Sequence, residues 1–247
     1  MLRLDQALVD RGLCDSREKA KRAILAGQVR VNNQPARKPG DSVQQDAILT
    51  LDTPEKFVSR GGHKLEHALE HFGLDVTGLT AIDLGASTGG FTDCLLQRGA
   101  ARVYAVDVGR GQLAWKLRQD ARVVVMEKTN ARTLTSAQFP PPFEPVALIV
   151  IDCSFISLRK ILPAAVALLR PGGKIVALIK PQFEAGKAEA DKGAGVITDA
   201  AVHERVLNEL RMFVEIETPL CWLGLTESPL LGPAGNKEFL TLLEKGA

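Results

Sequence analysis

TAIDLGASTGGFT, residues 80–92, joins an apolar run to a glycine-rich turn and then to a helix-like segment beginning at about Phe91. Glycines at such a junction let backbone pass close to a ligand and expose amide hydrogens at a helix start. A simple tight turn uses the same spacing, so the flanking residues matter. Asp83 stands directly before the loop, where dinucleotide-binding sheets carry an apolar residue and a G-x-G-x-x-G run. The same rhythm continues outward. RVYAVDVG (102–109), RVVVMEKT (122–129), VALIVIDC (146–153) and KIVALIKP (174–181) are further apolar runs ending in polar residues, most of them separated by helix-like segments. Unbroken apolar runs read as strands buried on both faces. Their alternation with helices predicts a doubly wound, Rossmann-like α/β sheet, mostly parallel. CWLGLTES (221–228) and NKEFLTLLEK (236–245) are expected to close it as a late antiparallel pair.

In an open α/β sheet, ligands gather beyond the carboxyl ends of the strands. Asp107 ends the second run, 22 positions after Gly85, where a carboxylate meets ribose hydroxyls. It also reads as an ordinary strand-end acid. An acid, a glycine loop and a second acid suit S-adenosylmethionine, which carries a cation and no pyrophosphate. The candidate cofactor residues are Asp83, Gly85, Ala86, Ser87, Gly89, Gly90, Phe91, Asp107, Asn130 and Asp152. Asp83 is expected near the methionine amino end, Asp107 on the ribose and Asn130 at the adenine.

Two other strand ends carry charge. Asp152 closes the fourth run, and Lys180 closes the fifth just before Pro181, which forbids further pairing. Adjacent parallel strands would set the two side by side. Lys64 lies in SRGGHKLEHAL (59–69) at an expected helix start, and Glu238 lies at the start of the last strand. A structural lysine–aspartate pair would explain two of the four. In order, Lys64, Asp152, Lys180 and Glu238 resemble the catalytic tetrad of FtsJ-type 2′-O-ribose methyltransferases. A lysine is protonated in water and is a poor base unless burial or a nearby cation changes its surroundings. As a cation it stabilises a developing alkoxide instead. Through the resemblance, Lys180 is the central base or oxyanion stabiliser, Asp152 orients it, and Lys64 and Glu238 position the ribose.

Residues 1–58 follow another pattern. Leu4, Ala7 and Leu8 mark a short helix stopped by Gly12, and Asp15 or Ser16 caps a second helix ending at Gly27. QVRVNNQ and AILTLD read as strands, with Asn32-Asn33 as a turn. Seven basic residues between Arg17 and Lys38 face Glu18 alone. Such a run is either a solvated face or a phosphate-contacting one. The spacing of Leu4, Leu8, Gly12, Ser16, Arg17, Ala20, Ile24, Gly27, Val29, Val31 and Asn32 resembles the alpha-L RNA-binding motif. That resemblance implies RNA recognition through Arg17, Lys19, Lys21, Arg22 and Arg30. The stretch 52–60, with Pro54, reads as a linker to a methyltransferase domain spanning 59–247.

Together the two parts resemble the TlyA family, whose members carry both haemolysin-like and ribosomal RNA 2′-O-methyltransferase names. The resemblance implies S-adenosylmethionine-dependent methylation of cytidine in ribosomal RNA, with ribosomal RNA or ribosomal subunits as partners. Composition agrees with a soluble protein: of 247 residues, 45% are hydrophobic and 24% charged, with a net charge of +2. Cys14, Cys94, Cys153 and Cys221 are scattered, matching neither a disulfide framework nor a zinc site. No run approaches the roughly 20 apolar residues that span a bilayer, and no signal peptide is evident. A cytoplasmic protein with no membrane partner and no metal requirement is expected; oligomeric state leaves no signal. Four alternatives stay open. Cys153 stands near the place of a C5-methyltransferase nucleophile. His63, His67 and His71 have a spacing that can hold a metal. A secreted haemolysin or a non-catalytic RNA-binding factor would replace the enzyme altogether, the latter requiring a damaged loop or tetrad.

Overall fold

The computed structural model describes residues 2–52, 55–186, 189, 193 and 195–246. The chain parts into two compact units between Lys56 and Phe57, two residues before the expected boundary. Phe57 explains the shift. It is 1% exposed and packed with Leu65 and Leu69 in the larger unit. Gly62 makes this possible, since a Cβ there would lie 2.2 Å from the Phe57 ring. The end of the expected linker is therefore core, while Pro54 lies outside the described residues.

In the smaller unit, β1 (Leu2–Arg3) runs directly into α1 (Leu4–Asp10) and pairs antiparallel with β4 (Ser42–Val43). Ser16 caps α2 (Arg17–Leu25), its Oγ accepting the Lys19 N–H. β2 (Val29–Val31) turns through Asn32 and Asn33, both at positive φ, into β3 (Gln34–Pro35), and pairs on its other side with β5 (Leu49–Leu51). Asparagine tolerates that left-handed backbone better than most residues. Leu4, Leu8, Ala20, Ile24 and Val29 form the core between helices and sheet.

The larger unit starts with α3 (Gly61–His71). Then follow β6 (Thr80–Leu84), α4 (Gly90–Gln97), β7 (Arg102–Val106), α5 (Trp115–Arg118), β8 (Val123–Met126) and β9 (Val146–Ile151). α6 (Leu162–Leu168), β10 (Leu169–Ile179), α7 (Pro181–Glu184), α8 (Ala200–Glu217), β11 (Leu220–Glu227) and β12 (Phe239–Lys245) complete it. Among the described residues these strands form one sheet in the order β11-β12-β10-β9-β6-β7-β8. β6 to β10 are parallel, and β12 runs antiparallel to both β10 and β11, as the late pair predicted.

Both faces are covered, which is why the strands read as continuous apolar runs. Ile82, Leu84, Ile149, Ile151, Ile175 and Ile179 meet α6 and α8 on one side. Ala81, Leu148, Val150, Val176 and Leu178 meet α3 and α4 on the other. The chain leaves β6 towards β7 and β8, then returns to lay β9 and β10 on its opposite side. That reversal opens a crevice at the carboxyl ends of β6 and β9, the place where such sheets bind ligands. Pro181 settles why β10 stops at Lys180: it cannot donate to the ladder, and it serves as the first residue of α7.

Candidate active site

The loop after β6 is shaped by close approaches. Gly85 has φ +88°, and a Cβ there would sit 2.6 Å from the Asp152 carbonyl oxygen. A side chain would therefore push the end of β9 away from the loop. Gly90, first residue of α4, is equally confined, with the Ser59 Oγ 2.3 Å from its Cβ position. Asp107 ties this loop to the one after β7. Its Oδ2 accepts the Ser87 N–H at 2.8 Å and its Oδ1 the Gly109 N–H at 2.7 Å. Each carboxylate oxygen retains a further acceptor position for a ligand.

Two cavities adjoin at Gly85, Ser87, Asp152 and Ser154. One, of about 480 Å³, is lined by Asp107, Asn130, Val106, Ile156 and Ile161, so that carboxylate, amide and apolar wall face one space. The other, of about 270 Å³, takes in Ala86, Gly90 and Phe91 together with Lys64, Lys180 and Glu238. Gly89 lines neither cavity; its φ of +97° turns the chain into α4 instead. Asn130 Oδ1 accepts the Arg132 N–H and so holds the turn that forms part of the first cavity.

Asp83 is placed differently from the expectation. Strand alternation turns it towards α4, where it is fully buried and its Oδ2 accepts the Thr92 hydroxyl at 2.6 Å. It lines neither cavity. Burial pushes its carboxyl up to about 7; the Thr92 bond opposes the rise, and Asp152 and Asp107 add to it. Asp83 thus supports the loop from behind, through Thr92 on α4.

Lys180 and Asp152 stand side by side, with Lys180 Nζ 2.6 Å from Asp152 Oδ1. The same ammonium donates to Ser154 Oγ at 2.8 Å, a contact that strand-end reasoning missed. Lys64 and Glu238 form a second ion pair, almost wholly buried, through Glu238 Oε2. Glu238 Oε1 is buried without a hydrogen-bond partner among the described residues. Two lysines and two acids from α3, β9, β10 and the approach to β12 therefore meet at one cavity wall. Phe155 lies beside them, 90% exposed and at φ +63°, an aromatic face held out at the rim.

The other candidates have structural employment. Burial, reinforced by Asp152 and Asp83, pushes the Cys153 thiol up to about 12, and its Sγ donates to the Leu84 carbonyl. A thiol so placed is not a nucleophile at neutral pH. His67 bonds Thr226 at 3.1 Å and stacks on His71, while His63 meets the Phe57 ring edge-on. Among the described residues no cluster of three His, Cys, Asp or Glu is arranged to hold a metal.

In the smaller unit, Arg17 donates to Asp5 Oδ2 at 3.0 Å, alongside Arg3. Asp5 is fully buried, and the Arg3 bond, helped by Arg17 against the cost of burial, holds its carboxyl down at about 2. Arg17 is thus committed to the fold, which its sequence position concealed. Lys19 pairs with Asp15, Lys21 with Glu18 and Arg30 with Asp52, all at the surface. Such pairs are worth little and exchange readily for phosphate. Arg22, Arg37 and Lys38 are exposed with no ion pair among the described residues.

Comparison with known proteins covers nearly the whole chain. Residues 57–245 match the FtsJ-like methyltransferase model and residues 2–49 the S4 domain. YqxC of Bacillus subtilis, named as a candidate rRNA methyltransferase, is 53% identical over 96% of this chain and 84% of its own. The 16S/23S rRNA (cytidine-2′-O)-methyltransferase TlyA of Mycobacterium tuberculosis is 48% identical over 98% and 89%. A solved structure of a candidate hemolysin from Streptococcus thermophilus superposes with a TM-score of 0.75 at 45% identity, covering 99% of this chain and 88% of that one.

Proposed function

The chain belongs to the TlyA family of FtsJ-like ribosomal RNA (cytidine-2′-O)-methyltransferases, and we propose that Lys64, Asp152, Lys180 and Glu238 carry its transfer reaction with S-adenosylmethionine as donor. The observation that supports this most is Lys180 Nζ, held by Asp152 and Ser154 on the wall that also receives the Lys64–Glu238 pair. The larger cavity fits the donor's nucleoside: Asp107 for vicinal hydroxyls, and Val106, Ile156 and Ile161 as an apolar wall for the adenine. Asn130 and the loop residues Gly85, Ala86, Ser87, Gly90 and Phe91 complete the proposed cofactor set, with Gly89 and Asp83 supporting it from outside the walls.

When bound, the donor supplies an electrophilic methyl group on a sulfonium. The chain must then make a ribose 2′-hydroxyl nucleophilic. As an ammonium, Lys180 has three donors. Ser154 accepts one and the Asp152 carboxylate pairs with the charge at 2.6 Å, leaving a donor for the 2′ oxygen as negative charge develops on it and its proton passes to solvent. A donor fixed by a hydrogen bond and an ion pair needs no reorientation during the reaction, which is the source of its advantage over water. Lys64 anchors Glu238, whose Oε1, without a hydrogen-bond partner among the described residues, is an acceptor that a sugar hydroxyl satisfies. In the S4 domain, Lys19, Lys21, Arg22 and Arg30 are the proposed phosphate contacts, and Arg17 keeps Asp5 compensated. The test is transfer of labelled methyl from S-adenosylmethionine to separated, unmodified ribosomal subunits, with nucleoside analysis. Label in 2′-O-methylcytidine is expected; label in a base-methylated nucleoside would overturn the assignment.

A further inference from the structure

Glu184 is half-buried beside the active site, and the reaction above does not use it. It ends α7, the single helical turn that follows Lys180. Its carboxylate reaches back to the loop after β9. Ser157 Oγ donates to Oε2 at 2.6 Å, and the Leu158 N–H donates to Oε1 at 2.7 Å. These are the first donors of the turn Leu158–Lys160, whose cap is Ser157 itself, its Oγ accepting the Arg159 N–H at 3.2 Å. A side chain from another element thus completes the cap.

The same short segment holds the loop at two more points. Lys180 Nζ bonds Ser154 Oγ, and the Phe183 ring lies 5.2 Å from that of Phe155. At its beginning the loop is fixed to β6, where the Asp152 N–H donates to the Leu84 carbonyl at 2.9 Å. Residues 152–158 are therefore fixed at the start by the sheet and at the end by Glu184. Between these points lie both partners of the Lys180 ammonium, Asp152 by ion pair and Ser154 by hydrogen bond. Phe155, at positive φ, needs such surroundings to keep a backbone shape that costs energy.

We infer that Glu184 is a positioning residue for methyl transfer, pinning the far end of the loop so that Ser154 and Asp152 together aim Lys180 at the ribose oxygen. This rests on the proposed role of Lys180. Glu184 has no part in cofactor binding, since it lines neither cavity. The role requires the carboxylate's acceptors more than its charge. An amide in its place can still accept from Leu158 and donate to Ser157 Oγ.

The experiment compares Glu184→Ala, Glu184→Gln and Ser157→Ala, alone and combined, in steady-state methyl transfer to unmodified ribosomal subunits. S-adenosylmethionine affinity is measured in parallel by calorimetry. Displacing catalytic groups by about an ångström costs up to roughly a hundredfold. Glu184→Ala is expected to lower kcat between about tenfold and a hundredfold, with KM for the subunit and cofactor affinity within about twofold of wild type. Glu184→Gln is expected to recover most of the loss, and Ser157→Ala to add little to Glu184→Ala. Unchanged kcat in Glu184→Ala overturns the inference. So does a fall in cofactor affinity matching the fall in kcat, or a Glu184→Gln variant that folds and binds cofactor yet is as slow as Glu184→Ala. Wild-type protein that transfers no methyl overturns the underlying role of Lys180 instead.

Discussion

Replacing Asp83 by asparagine should remove the part of the protein's stability that falls as the pH rises, so the variant gains on wild type from acid to alkali. Burial moves this carboxyl from 3.8 to about 7, so ionising it in place costs about 4 kcal/mol at ~1.4 kcal/mol per tenfold. Because the folded acid is raised, its stabilising contribution is complete below about pH 4, declines as the pH rises towards 7, and is constant above that. At pH 5 somewhat over a third of it is already lost, so about 3 kcal/mol separates pH 5 from pH 8. Asparagine keeps an oxygen for the Thr92 hydroxyl and has no charge to bury. Both tryptophans, Trp115 and Trp222, lie in the larger unit, so urea unfolding followed by fluorescence reports on that unit alone. In cofactor-free protein, the stability difference between Asp83→Asn and wild type should grow by about 3 kcal/mol from pH 5 to pH 8. Parallel stability–pH curves for the two proteins would refute the buried-acid account.

Glu238→Ala leaves Lys64 charged and buried, and should cost about 3–5 kcal/mol in thermal or urea unfolding; Lys64→Met combined with Glu238→Leu should be milder, and equal losses would contradict the pairing. Arg17→Ala leaves Asp5 its two Arg3 bonds and should lower stability by no more than about 1 kcal/mol. Arg22→Glu should instead weaken RNA binding and flatten its salt dependence at unchanged stability; the reverse pattern would exchange the two roles. Cys153→Ala should retain methyl transfer, and wild-type Cys153 should resist alkylation at pH 8 in the folded protein. Loss of transfer would reopen a cysteine mechanism.

The sheet was legible because strands covered on both faces have no choice but to be apolar throughout. The residues that break such runs, Asp107, Asp152 and Lys180, necessarily fall at the carboxyl ends where ligands gather. Lys64 and Glu238 became readable only through their order in a known tetrad, because 174 positions separate two halves of one buried ion pair. Asp83 shows what spacing omits. An acid before a glycine loop looks the same whether its carboxylate meets a ligand or a threonine on the next helix. The Arg17–Asp5 pair was hidden for a related reason: a basic helix residue reveals nothing of the buried Asp5 twelve positions earlier. Phe57 sat in a stretch without periodicity, so nothing marked it as core. Ser154 directly follows the run VALIVIDC and Glu184 lies three residues beyond KIVALIKP, but their bonds join loops whose proximity only the folded sheet reveals.

The central claim is that Lys180 acts in transfer and not in holding the cofactor. Its most direct test pairs two readings on Lys180→Ala: S-adenosylmethionine affinity by calorimetry, and labelled methyl recovered as 2′-O-methylcytidine from ribosomal subunits. Near-wild-type affinity with no recovered label is the predicted result. Transfer persisting in the variant, or cofactor affinity vanishing together with it, would contradict the account.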